Sequence, residues 1–169
     1  MGEMFCFQCQ QTAHNTGCEG RAGVCGKKYD TANYQDELTG ALIGLSHAVR
    51  SSEPTDTSDE LMFKGLFTTI TNVNFNNETI NDLIKKVRTE KKNISDDADD
   101  YNMQHLWAAG EDIRSLKSLI LFGLRGMAAY AYHAYALGYK DREVTDFFYE
   151  GLCAVGGEHD TDYLLSVVL

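Results

Sequence analysis

The sequence predicts an all-α protein, two three-helix bundles preceded by a cysteine-rich loop, and three observations carry that expectation. A single proline, Pro54, in 169 residues leaves the chain free to run in helices. From Thr31 onward apolar residues return at helical spacing in one segment after another. Residues 5–28, before that rhythm begins, hold glycines at 17, 20, 23 and 26 and four of the five cysteines.

Residues 5–28 read as an irregular loop. Glycines at such intervals let a backbone fold back and turn successive N–H groups inward, which suits a segment wrapped around an anion. From Thr31 to Arg50, the residues Tyr34, Leu38, Ala41, Leu42, Leu45, Ala48 and Val49 form one helical stripe, ended by Ser51-Ser52-Glu53-Pro54. Thr57 with Glu60 reads as a capping box opening a second helix, with Leu61, Leu66, Phe67 and Ile70 on its apolar face. Asn77 is placed to cap a third, carrying Ile80, Leu83, Ile84 and Val87.

Between Arg88 and Gly110 the periodicity fails, and Lys91-Lys92 gives way to Asp96, Asp97, Asp99 and Asp100, the pattern of a linker. Trp107 stands out there and is expected to pack against a helical body. A long helix over residues 111–137 follows. A second starts near Asp141 and stops at Gly156-Gly157, and a third starts near Asp160. The halves repeat weakly, with Gly65-Leu66 matching Gly151-Leu152. The expected organisation is a cysteine loop over 1–30, a first bundle over 31–88, an acidic linker over 89–110 and a second bundle over 111–169.

The formal net charge of −10 opposes binding to nucleic acid or to an anionic bilayer, both of which call for clustered Lys and Arg. Leu119–Tyr139 is long enough to span a membrane, yet Arg125 sits near its middle with three glycines and four tyrosines around it. A buried central helix is the reading that fits. Met1-Gly2-Glu3-Met4-Phe5-Cys6 has neither a basic nor an apolar signal region, and Cys6 stands where a myristoylation motif needs Ser or Thr. A cytoplasmic protein is expected, and in that reducing compartment a cysteine cluster holds metal more readily than it forms disulfides.

The four thiols run C-x2-C-x8-C-x6-C through Cys6, Cys9, Cys18 and Cys25. A cubane iron–sulfur cluster takes one thiolate at each iron, so its ligands come from separated points of a wrapping loop. Zinc gathers four sulfurs on one atom, commonly from two short C-x2-4-C turns, and here the second pair is spaced wider. Phe5 and Phe7 flank the first ligand and could exclude water, while Arg21, Lys27 and Lys28 could offset negative charge or simply be solvated. The spacing favours a cluster over zinc, and zinc over redox disulfides, and leaves all three open.

The stretch Met4-Phe5-Cys6-Phe7-Gln8-Cys9-Gln10-Gln11-Thr12-Ala13, with Gly17-Cys18, Gly23-Val24-Cys25-Gly26-Lys27 and Ala32-Asn33-Tyr34-Gln35-Asp36, resembles the start of the hybrid-cluster, or prismane, proteins, also called hydroxylamine reductases. The likeness continues through Gly65-Leu66-Phe67-Thr68-Thr69-Ile70-Thr71-Asn72, Glu111-Asp112-Ile113-Arg114-Ser115-Leu116 and Gly123-Leu124-Arg125-Gly126-Met127-Ala128-Ala129-Tyr130-Ala131. The resemblance implies a pair of three-helix bundles and a proximal cluster bound by Cys6, Cys9, Cys18 and Cys25. In that family the x8 spacing accompanies [4Fe-4S] and a longer one [2Fe-2S]. The last spacing here is x6 where x5 is common, and the linker is shorter.

The family's reaction runs at a second, mixed cluster whose His, Glu and Cys ligands would lie beyond this chain's last residue, so the resemblance assigns no catalytic residue here. Cys153 reads as a small buried hydrophobe. His47, His105, His133 and His159 have no ligand spacing, and His14 is placed to hydrogen-bond near the cluster rather than to ligate. The expectation is a [4Fe-4S] electron-transfer domain served by a redox partner protein or by the missing C-terminal domains. The alternatives are hydroxylamine or peroxide reduction at an exposed cluster edge, and a zinc-bound structural module. The closing run Leu164–Leu169 is apolar to its last residue, which points to one domain of something longer and to apolar surface through which copies could associate.

Overall fold

The computed structural model describes residues 2–9 and 11–169; Met1 and Gln10, each part of a stretch read above, lie outside the described residues. Among them the architecture is all-α apart from one two-stranded ribbon, β1 (Met4–Cys6) with β2 (Cys18–Gly20). Helices α1 (Tyr29–Arg50), α2 (Asp56–Thr68) and α3 (Asn77–Ile94) make the first bundle. A short α4 (Met103–Trp107) precedes α5 (Glu111–Ala136), α6 (Arg142–Gly156) and α7 (Thr161–Val168), which make the second. The bundles share one core: α1 packs on α6 as well as on α3, and α2 packs on α5. No helix among the described residues is long and apolar enough to cross a membrane.

The repeat has a packing basis. A β-carbon on Gly65 of α2 would come within 2.8 Å of Leu42 Cδ1 of α1, and one on Gly151 of α6 within 3.0 Å of Leu124 Cδ1 of α5. In each half the glycine opens a notch that a leucine of the preceding long helix fills.

The central helix is α1 rather than α5. From Leu38 to Ser46 every α1 residue is buried, because neighbours cover it on all sides. Gly40 and Gly44 let the segment before α4 lie across it: Tyr101 N–H donates to the Gly40 carbonyl at 3.0 Å, and a β-carbon on Gly40 would overlap the Tyr101 carbonyl. By contrast α5 keeps one side open to solvent.

Three local readings are corrected. The capping box of α2 is Thr55 with Ser58, each side chain accepting the other's backbone N–H at 2.9 Å, so the helix starts before Thr57. The cap of α3 is Asn76, which accepts from Thr79 N–H at 3.0 Å. The acidic stretch after Arg88 is ordered rather than linker-like. Helix α3 continues to Ile94, and Asp100 returns onto it through Arg88 Nε at 2.6 Å and Lys91 Nζ at 2.5 Å. The caps Asp141 and Asp160 stand where the sequence puts them, and Gly157 ends α6.

Candidate metal centre

The cysteine segment is a ribbon followed by a tight return, not a shapeless loop. Strands β1 and β2 pair antiparallel with Met4 opposite Gly20, Phe5 opposite Glu19 and Cys6 opposite Cys18. Directly opposed residues in such a pair present their side chains to the same face, so the first and third cysteines stand side by side. Met4 and Cys18 are buried with Ala32 of α1, which anchors the ribbon on the N-terminal end of that helix. Gly17 makes the entry to β2 with φ +127°, and a β-carbon there would collide with the Phe5 ring.

Residues 21–29 then close on themselves. Gly23 N–H donates to the Lys27 carbonyl at 2.8 Å, Gly26 N–H to the Gly23 carbonyl at 2.9 Å, and Tyr29 N–H to the Arg21 carbonyl at 3.0 Å, so Cys25 sits in a compact turn. Cys25 and Cys9 are half-buried. Among the described residues no three Cys, His, Asp or Glu side chains are grouped closely enough to hold a metal as they stand. The fold brings Cys6 and Cys18 together across the ribbon and carries Cys9 and Cys25 on the adjoining turns.

The surroundings are those of an anion. Ala13 N–H points at Cys18 Sγ over 3.5 Å and the Thr12 hydroxyl over 4.0 Å. Burial pushes the Cys18 thiol up, but the N–H groups of Val24 and Ala13, the Thr12 hydroxyl and Lys27 outweigh it and hold the thiol below its ordinary value. At Cys6 burial wins and the thiol is raised, against the pull of Lys27 and the Gln8 N–H and with the push of Asp36 and Cys18.

A buried polar seam continues inward from Cys6. Lys27 is buried, so its reading as a solvated surface group is wrong; its Nζ donates to Gln35 Oε1 of α1 at 2.6 Å. Arg21 and Lys28 are the exposed ones. Arg125 of α5 is also buried, donating from Nε to Thr69 Oγ1 at 3.0 Å and from Nη2 to Thr39 Oγ1 at 2.9 Å. Burial draws its pKa down to about 10, with Asp36 and Cys6 opposing, so it stays charged at neutral pH. Desolvation lifts the Asp36 carboxyl to about 6, against Arg125, the Trp107 N–H and Lys27. Arg125 Nη1 is a buried donor without a hydrogen-bond partner, and the buried Trp107 N–H faces the Asp36 carboxylate without a well-formed hydrogen bond to it.

Two buried cations, an unspent Arg125 N–H donor and a Cys18 thiol that accepts an N–H bond make a donor set that fits a negatively charged iron–sulfur centre. The Phe5 and Phe7 rings stand 6.3 Å apart. Trp107 meets Phe5 at 5.1 Å and Phe122 of α5 meets Phe7 at 6.4 Å. Trp107 thus packs on the cysteine segment as well as on the helical core. On the far side Thr71 Oγ1 donates to the Gln8 carbonyl at 3.3 Å, tying the segment to the turn after α2. His14 is exposed with φ 52°, and Cys153 is buried in α6.

Asp36 and Arg125 are the charged residues beside the cysteine segment that spacing did not single out. The signal for Arg125 was a lone charge inside an apolar run; for Asp36 there was none beyond its place one residue after Gln35.

A cysteine ribbon seated on an all-α double bundle, with cations buried beneath it, defines a metal-binding helical domain. The chain belongs to the Prismane/CO dehydrogenase family, whose model matches residues 4–169, and that is a family of iron–sulfur-binding proteins. It is similar to a hydroxylamine reductase of Desulfitobacterium hafniense (strain DSM 10664 / DCB-2), 35% identical over 200 residues that cover 98% of this chain and 36% of that protein. A hydroxylamine reductase of Bacteroides fragilis (strain YCH46) is 38% identical over 191 residues, covering 98% and 35%. One of Caldanaerobacter subterraneus subsp. tengcongensis is 38% identical over 185 residues, covering 90% and 34%. The chain therefore spans about a third of the length of these relatives.

Proposed function

We propose that this chain is an electron-relay domain in which Cys6, Cys9, Cys18 and Cys25 hold a [4Fe-4S] cluster. The observation that carries the reading is the pairing of Cys6 with Cys18 above the buried Lys27 and Arg125. Bound there, the cluster would supply one-electron oxidation and reduction. The chain's own residues set the conditions for it. Lys27 and Arg125 favour added negative charge, and the N–H groups of Ala13 and Val24 with the Thr12 hydroxyl stabilise the Cys18 thiolate. Phe5, Phe7, Trp107 and Phe122 form an aromatic cluster beside the ribbon.

No side chain is assigned a catalytic role. In a complete hydroxylamine reductase the electron would pass to the site of hydroxylamine reduction, held by a redox partner protein or by further C-terminal domains. A cytoplasmic setting, where thiols stay reduced, suits such a centre.

Anaerobic purification followed by iron, sulfide and zinc analysis tests the proposal. The expected result is a brown protein with about four irons and about four acid-labile sulfides per chain. A colourless protein with one zinc and no sulfide overturns it. Steady hydroxylamine consumption by the chain alone with a chemical reductant would overturn the relay role and leave the cluster.

A further inference from the structure

Helix α5 is built inside out. Between Ser115 and Leu137 the only formally charged side chains are Lys117 and Arg125, and both point inward, 6% and 5% exposed. Lys117 Nζ donates to the Gly157 carbonyl at 2.7 Å, while Arg125 serves the seam beneath Cys6. The outward side carries instead Leu119, Met127, Tyr130 and Leu137, which are 54%, 40%, 82% and 77% exposed. A helix that faces water shows the opposite arrangement, with its charges outside. Gly123 and Gly126 lie on the same side, and a β-carbon on either would meet no atom within 4 Å.

We infer that this outward face of α5 is a docking surface, and that its occupant is the polypeptide making up the other two thirds of the hydroxylamine reductase relatives, presented as an uncharged, apolar surface. Three observations choose that occupant. The relatives are about three times as long as the matched region, so they carry a large body of chain that must pack somewhere. The face is a charge-free strip on a protein whose net charge is −10, which rules out recognition by charge and leaves apolar contact. The strip also continues into the candidate metal centre, because Phe122 of α5 packs on Phe7 beside Cys6. A body seated along α5 therefore reaches the aromatic wall of the cysteine ribbon, and the two open glycines let it approach the helix backbone closely. The inference takes the partner's role from the relay reading, but the face itself rests on α5 alone.

Hydroxyl-radical footprinting read by mass spectrometry, run on this chain and on the full-length Bacteroides fragilis relative, tests it. The expected result is fast oxidation at Leu119, Met127 and Tyr130 here and severalfold slower oxidation at the aligned positions of the relative, with α3 peptides reacting alike in both. Equal reactivity along α5 in the two proteins overturns the inference. Slow reactivity in this chain that becomes fast on dilution also overturns it, since a second copy would then be the occupant. Absence of iron in this chain would sink the relay reading and leave this footprint as it is.

Discussion

Arg125 Nη2 donates to Thr39 Oγ1 at 2.9 Å, joining α5 to α1 in the middle of the shared core. Thr39 in turn donates to the Gln35 carbonyl at 2.8 Å, and the Gln35 side chain holds Lys27 at 2.6 Å. A line of polar contacts thus leads from the second bundle to the turn that carries Cys25.

Removing the guanidinium strands the groups it serves. Arg125→Met leaves Asp36 with less compensation and costs about 3 kcal/mol in urea unfolding of the iron-free protein. In iron-loaded protein it also lowers the reduction potential, because a cation that favours added negative charge is gone. Arg125→Lys keeps the charge but not the planar fork, so it is expected to recover most of the potential and less of the stability. Equal potentials in all three proteins would show that Arg125 is structural only.

The ligand assignment separates cysteines that composition alone treats alike. Cys18→Ser and Cys9→Ser are expected to lose most of the bound iron and sulfide, whereas Cys153→Ser, buried in α6 away from the ribbon, keeps both. Cys153→Ser carries instead a stability cost of about 1 kcal/mol from placing a hydroxyl in an apolar site. Iron content that is the same in all three variants would refute the assignment.

The fold-back of Asp100 predicts a pH dependence. Burial raises its carboxyl, but hydrogen bonds from Lys91 and Arg88 outweigh burial and hold it below its ordinary value. A carboxylate whose folded value lies below its unfolded one adds stability that is fully present above the unfolded value and is lost as pH falls through the folded one. Asp100→Asn should therefore cost about 1 kcal/mol at pH 7, a partly exposed pair being worth no more. The two proteins should converge in stability at pH values below the ordinary carboxylate range. A constant difference down to that pH would show that the aspartate acts by shape rather than charge.

What could be read in the sequence was whatever a local pattern determines. Asp141 and Asp160 cap their helices because a carboxylate before a periodic run satisfies a free N–H wherever the run packs. The spacing of Cys6, Cys9, Cys18 and Cys25 marked the candidate site for the same reason. The errors came from non-local partners. Asp100 reads as linker until Arg88 and Lys91 claim it, and Arg125 reads as an odd charge until Thr39, 86 residues away, accepts its hydrogen bond. The run 119–139 reads as the buried central helix until Gly40 and Gly44 let the chain cross α1, while α5 is left bare on one side.

That difference between α1 and α5 predicts opposite outcomes for one substitution. In an exposed helix interior Ala exceeds Gly by about 1 kcal/mol in helix propensity. At Gly123 nothing lies within 4 Å of a new β-carbon, so propensity acts unopposed and Gly123→Ala should stabilise the chain by somewhat less than about 1 kcal/mol. At Gly40 the β-carbon would overlap the Tyr101 carbonyl, a backbone atom fixed by its own N–H bond to the Gly40 carbonyl. Overpacking of that kind costs about 1–3 kcal/mol, and the crossing segment would have to lift, so Gly40→Ala should lose stability despite the better propensity. Thermal unfolding of the two variants beside the parent chain checks both signs. If the α5 face is a docking surface, bulk at Gly123 brings a penalty only in the full-length relative, where Ala or Leu at the aligned position should lower the melting temperature. A gain there equal to the gain here would mean that the glycine face stays open in the longer protein.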